Sequence, residues 1–504
     1  MSQGKVWLVG TGPGDPELLT LRARSVLEQA EVVIYDALVG QGILAMIPPT
    51  ARCIDAGKHA GNHTIPQHEM NRIIYEEALA GNRVVRLKGG DPYMFGRGGE
   101  EAEYLVERGM PFEIVPGITS PVAVPAYNGI PVTHRDFAAS VHFITAHRKK
   151  DMPLDINFRA FVEAGGTYVF MMGVSALRDI CSGLLEAGMS PDMPAAILSQ
   201  GTTAGQKKIV ATVGTLPDEV ARRGVATPAI IVVGQVCSLA DKLQWRENLP
   251  LFGRKILVTR PRGRSSQLTE KLRRLGAEVV ELPSIRLEPL EDNSFLRGQI
   301  EHIGEYTWVV FTSPTGVDVF FREMRAMKKD VRSLHNCRFA VLGAGTAREL
   351  EQHGCMADLM PQVYENEAMA RLLVEKLTAE DKVLIPRAAI GNPILPEILS
   401  ESEAVIVDVP VYETLPQEHP WLDLDKLLES GSVDYVTFTS ASTVHNFVQM
   451  VKHRDNLDRV LGVCIGRQTR EAAEGYHLRT ITSQAATIDS ICECILHDQK
   501  AEVE

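Results

Sequence analysis

The residues best placed to do chemistry lie where apolar runs stop. Val6–Val9 gives way to Gly10-Thr11-Gly12-Pro13-Gly14-Asp15, and Val84-Val85-Arg86-Leu87-Lys88 gives way to Gly89-Gly90-Asp91-Pro92. A buried parallel strand that ends in glycines lets backbone approach a small ligand, because no side chain stands between them. Asp36 closes a third run, Val32–Tyr35, and puts a carboxylate at the same kind of strand end. Such a carboxylate can accept a proton, anchor a polar ligand or cap the turn. Cations available to an anionic ligand nearby are Lys58, His59, His63, Arg97, Arg135, His147 and Arg148. The spacing of His59 and His63 would suit a metal on a helix, but Gly61, Asn62 and Pro66 make the stretch a loop, and no metal is expected.

The glycine loops exclude one nucleotide reading and weaken another. A phosphate-cradling P-loop ends in Gly-Lys-Ser/Thr, which is absent here. A dinucleotide fingerprint opens directly into a helix, whereas Pro13 and Pro16 delay the helix to about Glu17. Asp36 still stands where a dehydrogenase keeps its ribose-binding acid, so an NAD enzyme stays open as an alternative. The common ground is a nucleotide-like cofactor at the carboxyl edge of a sheet.

The elements that must position these residues follow from the pattern of the whole chain. It has 504 residues, too many for one core, so several domains are expected. Strand-like runs alternate with helical stretches throughout, for example Leu18–Ala30 and His68–Ala80. That order predicts α/β domains with largely parallel sheets. A helix over Leu239–Arg246 followed by Asn248-Leu249-Pro250-Leu251-Phe252-Gly253 predicts a linker at 248–253. A net charge of −12 argues against a nucleic-acid partner. No apolar run is long enough for a membrane span. Eight scattered cysteines without a disulfide spacing suit a reducing cytoplasm, and Cys492 with Cys494 is no metal signature.

The second half repeats itself. Phe311-Thr312-Ser313-Pro314-Thr315-Gly316-Val317 recurs 127 residues later as Phe438-Thr439-Ser440-Ala441-Ser442-Thr443-Val444. Ile256–Pro261 recurs loosely at Val383–Ala388, the same distance on. Two similar α/β subdomains facing one cleft are expected. Thr312-Ser313 and Thr439-Ser440 each precede a helix, where unpaired N–H groups can bind anions or the hydroxyls can simply cap. The half contains no Ser-His-Asp order, phosphate loop or metal spacing.

The first half resembles a known family. Gly10–Asp15, Val33-Ile34-Tyr35-Asp36, Arg86–Pro92, Phe95–Glu101 and Pro116–Ser120 occur in order and spacing as in uroporphyrinogen-III C-methyltransferases, of the tetrapyrrole methyltransferase group. The resemblance covers about residues 4–245 and implies a fold of two α/β subdomains. It implies two methyl transfers from S-adenosylmethionine to C2 and C7 of uroporphyrinogen III, giving precorrin-2 for sirohaem or cobalamin. It also implies a homodimer formed through this half. Pro13, Gly89, Gly90, Asp91, Met94, Thr119, Ser120, Met172, Gly201, Pro228 and Ala229 match the family's cofactor contacts. Met94 stands where isoleucine or valine is common, and keeps an apolar wall. Asp36 matches the proposed base and Lys58 the proposed proton donor; base or substrate anchor is open for Asp36. Arg97 is a further expected substrate contact.

The second half resembles uroporphyrinogen-III synthase through Val258–Pro261, Phe311–Ser313, Leu342–Ala347 and Asp434–Val444. That family closes hydroxymethylbilane, with loss of water and inversion of the last ring. Its fold implies one subdomain of about 254–286 with 410–504 and another of 287–409. Expected substrate contacts are Arg260, Ser313, Thr439, Ser440, Ser442 and Thr443, with Tyr412 as proton donor to the leaving hydroxyl. Residues 1–247 would then be a methyltransferase and 254–504 a synthase. The alternative is a single-activity methyltransferase carrying a C-terminal binding module.

Overall fold

The computed structural model describes residues 4–57, 65–146, 154–259, 267–391 and 393–503. The chain forms four five-stranded sheets. The first contains β1 (Lys5–Gly10), β2 (Val32–Tyr35), β3 (Arg52–Asp55), β4 (Arg83–Lys88) and β5 (Phe112–Val115) in the order β3-β2-β4-β1-β5. Every neighbouring pair in it is parallel. Its inner strands β2 and β4 are buried on both faces, as helix-covered parallel strands must be. Val33, Tyr35, Val85 and Leu87 enter one core cluster. The alternate residues Val32, Ile34 and Val84 enter the other.

The second sheet contains β6 (Val141–Thr145), β7 (Thr167–Met171), β8 (Pro194–Ser199), β9 (Lys207–Thr212) and β10 (Ala229–Val233), ordered β6-β7-β10-β8-β9. Here β10 runs antiparallel to both its neighbours, β7 and β8. The start of β10 therefore sits between the ends of β7 and β8. The expected helix over Leu239–Arg246 does not form; a short 3-10 turn, Gln235–Leu239, stands before it. The following residues are drawn to the first half's helix Ser120–Tyr127 instead. Trp245 Nε1 donates to the Ala126 carbonyl at 3.0 Å, and the Trp245 ring meets Tyr127 edge-on at 5.2 Å.

The chain next forms β11 (Lys255–Val258) and β12 (Glu278–Glu281). Between these two halves, Leu251 is fully buried and its N–H donates to the Leu275 carbonyl. The fourth sheet comes before the third is complete. It contains β13 (Ile285–Pro289), β14 (Trp308–Phe311), β15 (Arg338–Val341), β16 (Lys382–Ala388) and β17 (Val405–Pro416), ordered β13-β17-β16-β14-β15. Then β18 (Tyr435–Phe438), β19 (Leu461–Cys464) and β20 (Arg479–Thr482) complete the third, β12-β11-β18-β19-β20. Two compact units result: residues 1–284 with 418–504, and residues 285–417. β17 runs through residue 410 as one strand and pairs antiparallel with β13 inside the second unit. The repeat at 127 residues is structural: β14 and β18 are equivalent central strands, each followed by a serine-capped helix. Among the described residues, no helix is long and apolar enough to cross a membrane.

Candidate functional site

Strands β1, β4 and β5 lie side by side, so their carboxyl-end loops meet. The N–H of Gly12 donates to the Gly90 carbonyl at 3.0 Å, and that of Gly90 to the Gly12 carbonyl at 2.7 Å. A Cβ on Gly10 would lie 2.5 Å from the Gly117 nitrogen, and one on Gly117 would lie 2.2 Å from the Gly90 oxygen. Gly90 takes a φ of +69°, which a side chain disfavours. Asp91 binds this corner together, with Oδ1 accepting from Tyr93 N–H and Oδ2 from Gly117 N–H. Its carboxylate is spent on backbone, and what the loop presents outward is main chain. Thr119 and Ser120 open the helix Ser120–Tyr127 within 4 Å of where a Gly90 side chain would stand.

The second sheet brings its own loops to this corner. Met172 follows the end of β7, Gly201 follows β8, and Pro228-Ala229 begins β10; antiparallel pairing puts all three at one edge. Gln200 N–H donates to the Pro228 carbonyl at 2.8 Å. Gly201 packs so closely on Val124 of the helix Ser120–Tyr127 that a Cβ would lie 2.4 Å from it. Thr202 Oγ1 accepts from the Asp15 N–H at 3.3 Å, and Gln206 Nε2 donates to the Tyr127 carbonyl. Pro13 is flanked by Gly12 and Gly14, both at positive φ. Phe95, Arg97, Met172, Gln200 and Thr202 also have positive φ, although none is glycine. Strained backbone gathered in one set of loops is a mark of a working site. The half-buried Met94, next to Phe95, supplies apolar surface.

Asp36 ends β2 beside β4. Its Oδ1 accepts from Leu38 N–H, and its Oδ2 lies 3.9 Å from an Arg86 nitrogen. Arg86 and Lys88, two apart on β4, both reach Glu101 Oε1, at 3.3 and 2.9 Å. The Glu101 side chain is 0% exposed, and its Oε2 has no partner among the described residues. Burial and the nearby Arg86 push the Lys88 ammonium below its ordinary range, while Glu101 pulls it back. Arg97 stands apart from this network, exposed and paired with Glu100. Lys58, Arg260, His59, His63, His147 and Arg148 lie outside the described residues.

In the second half the hydroxyls are helix caps. Ser440 Oγ accepts from Thr443 N–H, and Thr443 Oγ1 accepts from Ser440 N–H, a reciprocal box. Thr443 is buried, and its side chain also donates to the Ser440 carbonyl. Ser442 is exposed and bonds Ser440 Oγ; Thr439 is half-buried just ahead of them. In the other unit Ser313 caps the helix Pro314–Ala326, and its hydroxyl lies 2.9 Å from that of Tyr412. Burial pushes the Tyr412 phenol above its ordinary range, against the Ser313 bond. One trio of ligand-type side chains lies close together among the described residues, Asp318, Glu349 and His353. Its histidine ring stacks flat on Phe321 at 4.5 Å.

Comparison with known proteins settles the family. A family model of tetrapyrrole (corrin/porphyrin) methylases matches residues 5–217, and one of uroporphyrinogen-III synthase HemD matches residues 266–493. The porphyrin biosynthesis protein HemD of Ruminiclostridium josui is 45% identical and covers 98% of both chains. The chain belongs to this family, in which a tetrapyrrole methylase is joined to a uroporphyrinogen-III synthase. The uroporphyrinogen-III C-methyltransferase of Bacillus subtilis (strain 168) is 39% identical over 70% of this chain and 72% of its own. The S-adenosyl-L-methionine-dependent uroporphyrinogen III methyltransferase of Methanosarcina barkeri (strain Fusaro / DSM 804) is 50% identical over 48% of this chain and 94% of its own.

Within the methylase–synthase chain, several residues of the site escaped the sequence reading. Gly117 makes one of the close loop contacts, and Gln200 and Thr202 carry unusual backbone. Glu101 neutralises two buried cations. The signal for Glu101 was present: an arginine and a lysine two apart in a buried apolar strand require a counter-ion. In the synthase half, Tyr412 is only 6% exposed, so it meets other groups chiefly through Ser313. Tyr412→Phe is expected to slow bilane closure by about 10²-fold if the phenol delivers the proton. Ring closure measured on the full chain at the wild-type rate would remove Tyr412 from the chemistry.

Proposed function

We propose that the methylase half transfers two methyl groups from S-adenosylmethionine to C2 and C7 of uroporphyrinogen III, giving precorrin-2. The synthase half makes that acceptor by closing hydroxymethylbilane with loss of water. The reading rests on one observation above the others: three adjacent strand ends meet the loops of a second sheet, with glycine backbone at each close approach. Bound S-adenosylmethionine supplies a sulfonium methyl, and the chain supplies alignment. Holding donor and acceptor in line is worth roughly 7–11 kcal/mol.

In this reading Pro13, Gly89, Gly90, Asp91, Met94, Thr119, Ser120, Met172, Gly201, Pro228 and Ala229 surround the donor. Asp91 acts by holding the loop, since both its oxygens are engaged. Asp36 keeps Oδ2 for an acceptor proton or a pyrrole N–H, 3.9 Å from an Arg86 nitrogen. Lys58 and Arg97 meet acceptor carboxylates or return the proton. In the synthase half, Arg260, Ser313, Thr439, Ser440, Ser442 and Thr443 hold bilane carboxylates, with main-chain N–H groups at the helix starts doing much of the work. Thr443 contributes as part of the cap, because its side chain is buried. The methylase spans 1–247 and the synthase 254–504, joined at 248–253. The protein works as a cytoplasmic homodimer paired through the methylase half, and neither reaction calls for a metal.

A coupled assay on the intact chain tests this. Fed hydroxymethylbilane and S-adenosylmethionine alone, it should form precorrin-2. Accumulation of the type I isomer would reduce the synthase half to a binding module. Failure with supplied uroporphyrinogen III would overturn the methylase assignment.

A further inference from the structure

The loop that carries Gly201 is held from a side that the methylase fold does not supply. Gln200–Gln206 is tied to the first glycine loop through Thr202 and Asp15, and to the helix Ser120–Tyr127 through Gln206. Its third tie comes from the synthase half. The Ala204 N–H donates to Glu278 Oε2 at 2.7 Å. Glu278 opens β12, the edge strand of the third sheet. Its other oxygen pairs with Lys255 at 3.1 Å, across the β11–β12 register. Both side chains are mostly buried, at 14% and 16% exposure, so this pair is less screened than a surface one.

The surroundings make this contact part of a built interface. An uncovered edge strand offers unpaired backbone groups, and proteins cover such edges. The methylase helix Gln41–Leu44 lies against β12: a Cβ on Gly42 would stand 2.5 Å from Pro16 on one side and 3.5 Å from the Val279 carbonyl on the other. Pro16 follows the first glycine loop directly. Lys255 Nζ also reaches Gln41 Oε1 at 3.4 Å. Ala45, just past that helix, is buried in the synthase core with Leu257, Val280 and Leu282. The glycine loop, the helix Gln41–Leu44 and β12 thus form one packed stack, and Glu278 extends it to the Gly201 loop.

We propose that β12 of the synthase half is a structural wall of the methyl-donor pocket, and that Glu278 is a positioning residue for the Gln200–Gln206 loop. Glu278 acts through the Ala204 N–H: it holds a loop with two strained residues, Gln200 and Thr202, in one conformation. The inference rests on the strand-end corner being the donor site. Without the carboxylate, the loop must find that conformation for itself, and donor affinity falls by the population lost.

The test is titration of the full chain with S-adenosylhomocysteine, an unreactive probe of the donor site. Glu278→Ala should weaken binding roughly three- to tenfold, the range expected for one part-buried hydrogen bond. Glu278→Gln keeps an acceptor for Ala204 and should restore most of the affinity. Glu278→Met keeps the stem against the strand and removes only the acceptor, and should behave like alanine if alanine does not fold. Closure of hydroxymethylbilane by the same variants should be unchanged. Wild-type affinity in a folded Ala or Met variant overturns the proposal. A wild-type chain that does not bind the probe overturns instead the reading of the strand-end corner as a donor site.

Discussion

Replacing Glu101 by alanine is expected to cost the fold about 3–5 kcal/mol, the usual penalty for removing one partner from a buried charge pair. Glu101 is fully buried and stands between Arg86 and Lys88. Its removal leaves two cations in a sheet interior with only Asp36 nearby, 3.9 Å from Arg86. Arginine does not give up its proton, so the strain falls on Lys88. That ammonium is already pushed below its ordinary range by burial. With the folded-state value below the unfolded one, the unfolded chain binds the extra proton between them, and stability rises with pH in that window. Loss of Glu101 lowers the folded value further and extends the window downward from the unfolded lysine value of about 10.4. The variant should therefore recover stability between neutral and alkaline pH more steeply than the wild type. Urea unfolding at several pH values measures this; a cost under about 1 kcal/mol at pH 7 would show that the network is solvated.

Gly117→Ala should nearly abolish methyl transfer while leaving bilane closure intact. The new Cβ would sit 2.2 Å from the Gly90 oxygen and 2.7 Å from Gly10, and these are backbone atoms that cannot rotate away. The three strand-end loops must separate. Overpacking of this kind costs about 1–3 kcal/mol of stability. The catalytic loss should be larger, because a shift of about 1 Å in a positioned reactant can cost 10²-fold. Gly99→Ala is the control: nothing lies within 4 Å of its Cβ, in the helix Gly98–Val106. Steady-state methyl transfer with supplied uroporphyrinogen III separates the two. Equal rates in Gly117→Ala and wild type would mean that the corner does not shape the donor site.

The parts of this site that could be read in the sequence are those whose residue type has one physical explanation. Glycines that end an apolar run mean close backbone, and the loops of Gly10–Gly14 and Gly89–Gly90 do meet, through the paired main chains of Gly12 and Gly90. The repeat at 127 residues was legible because equivalent strands need equivalent apolar runs and each following helix needs a cap, which Ser313 and Ser440 supply. What escaped depends on distant partners. Leu239–Arg246 has the composition of a helix, but Trp245 and Arg246 are drawn to Tyr127 and Asp15, more than a hundred residues earlier. Local propensity cannot foresee such a pull. Likewise the hydroxyls of Thr443 and Ser440 satisfy each other, a use that spacing alone does not separate from ligand binding.

The interrupted third sheet has a consequence for the order in which the chain becomes itself. Thr259 donates to the Thr437 carbonyl across 178 residues, and β11 has no inner neighbour until β18 is made. During synthesis the methylase half and β11–β12 emerge together, while the strands that complete their sheet come only after the whole second unit. Until then one flank of β11 is open and the surface around Val280 and Leu282 lacks Phe438 and Phe447. The helix Gln41–Leu44 and Ala45, already folded, can cover the opposite flank at β12 during that wait. The methylase would then cover one edge of its unfinished neighbour while the other, along β11, waits for β18, at the stage when long-range pairing is slowest.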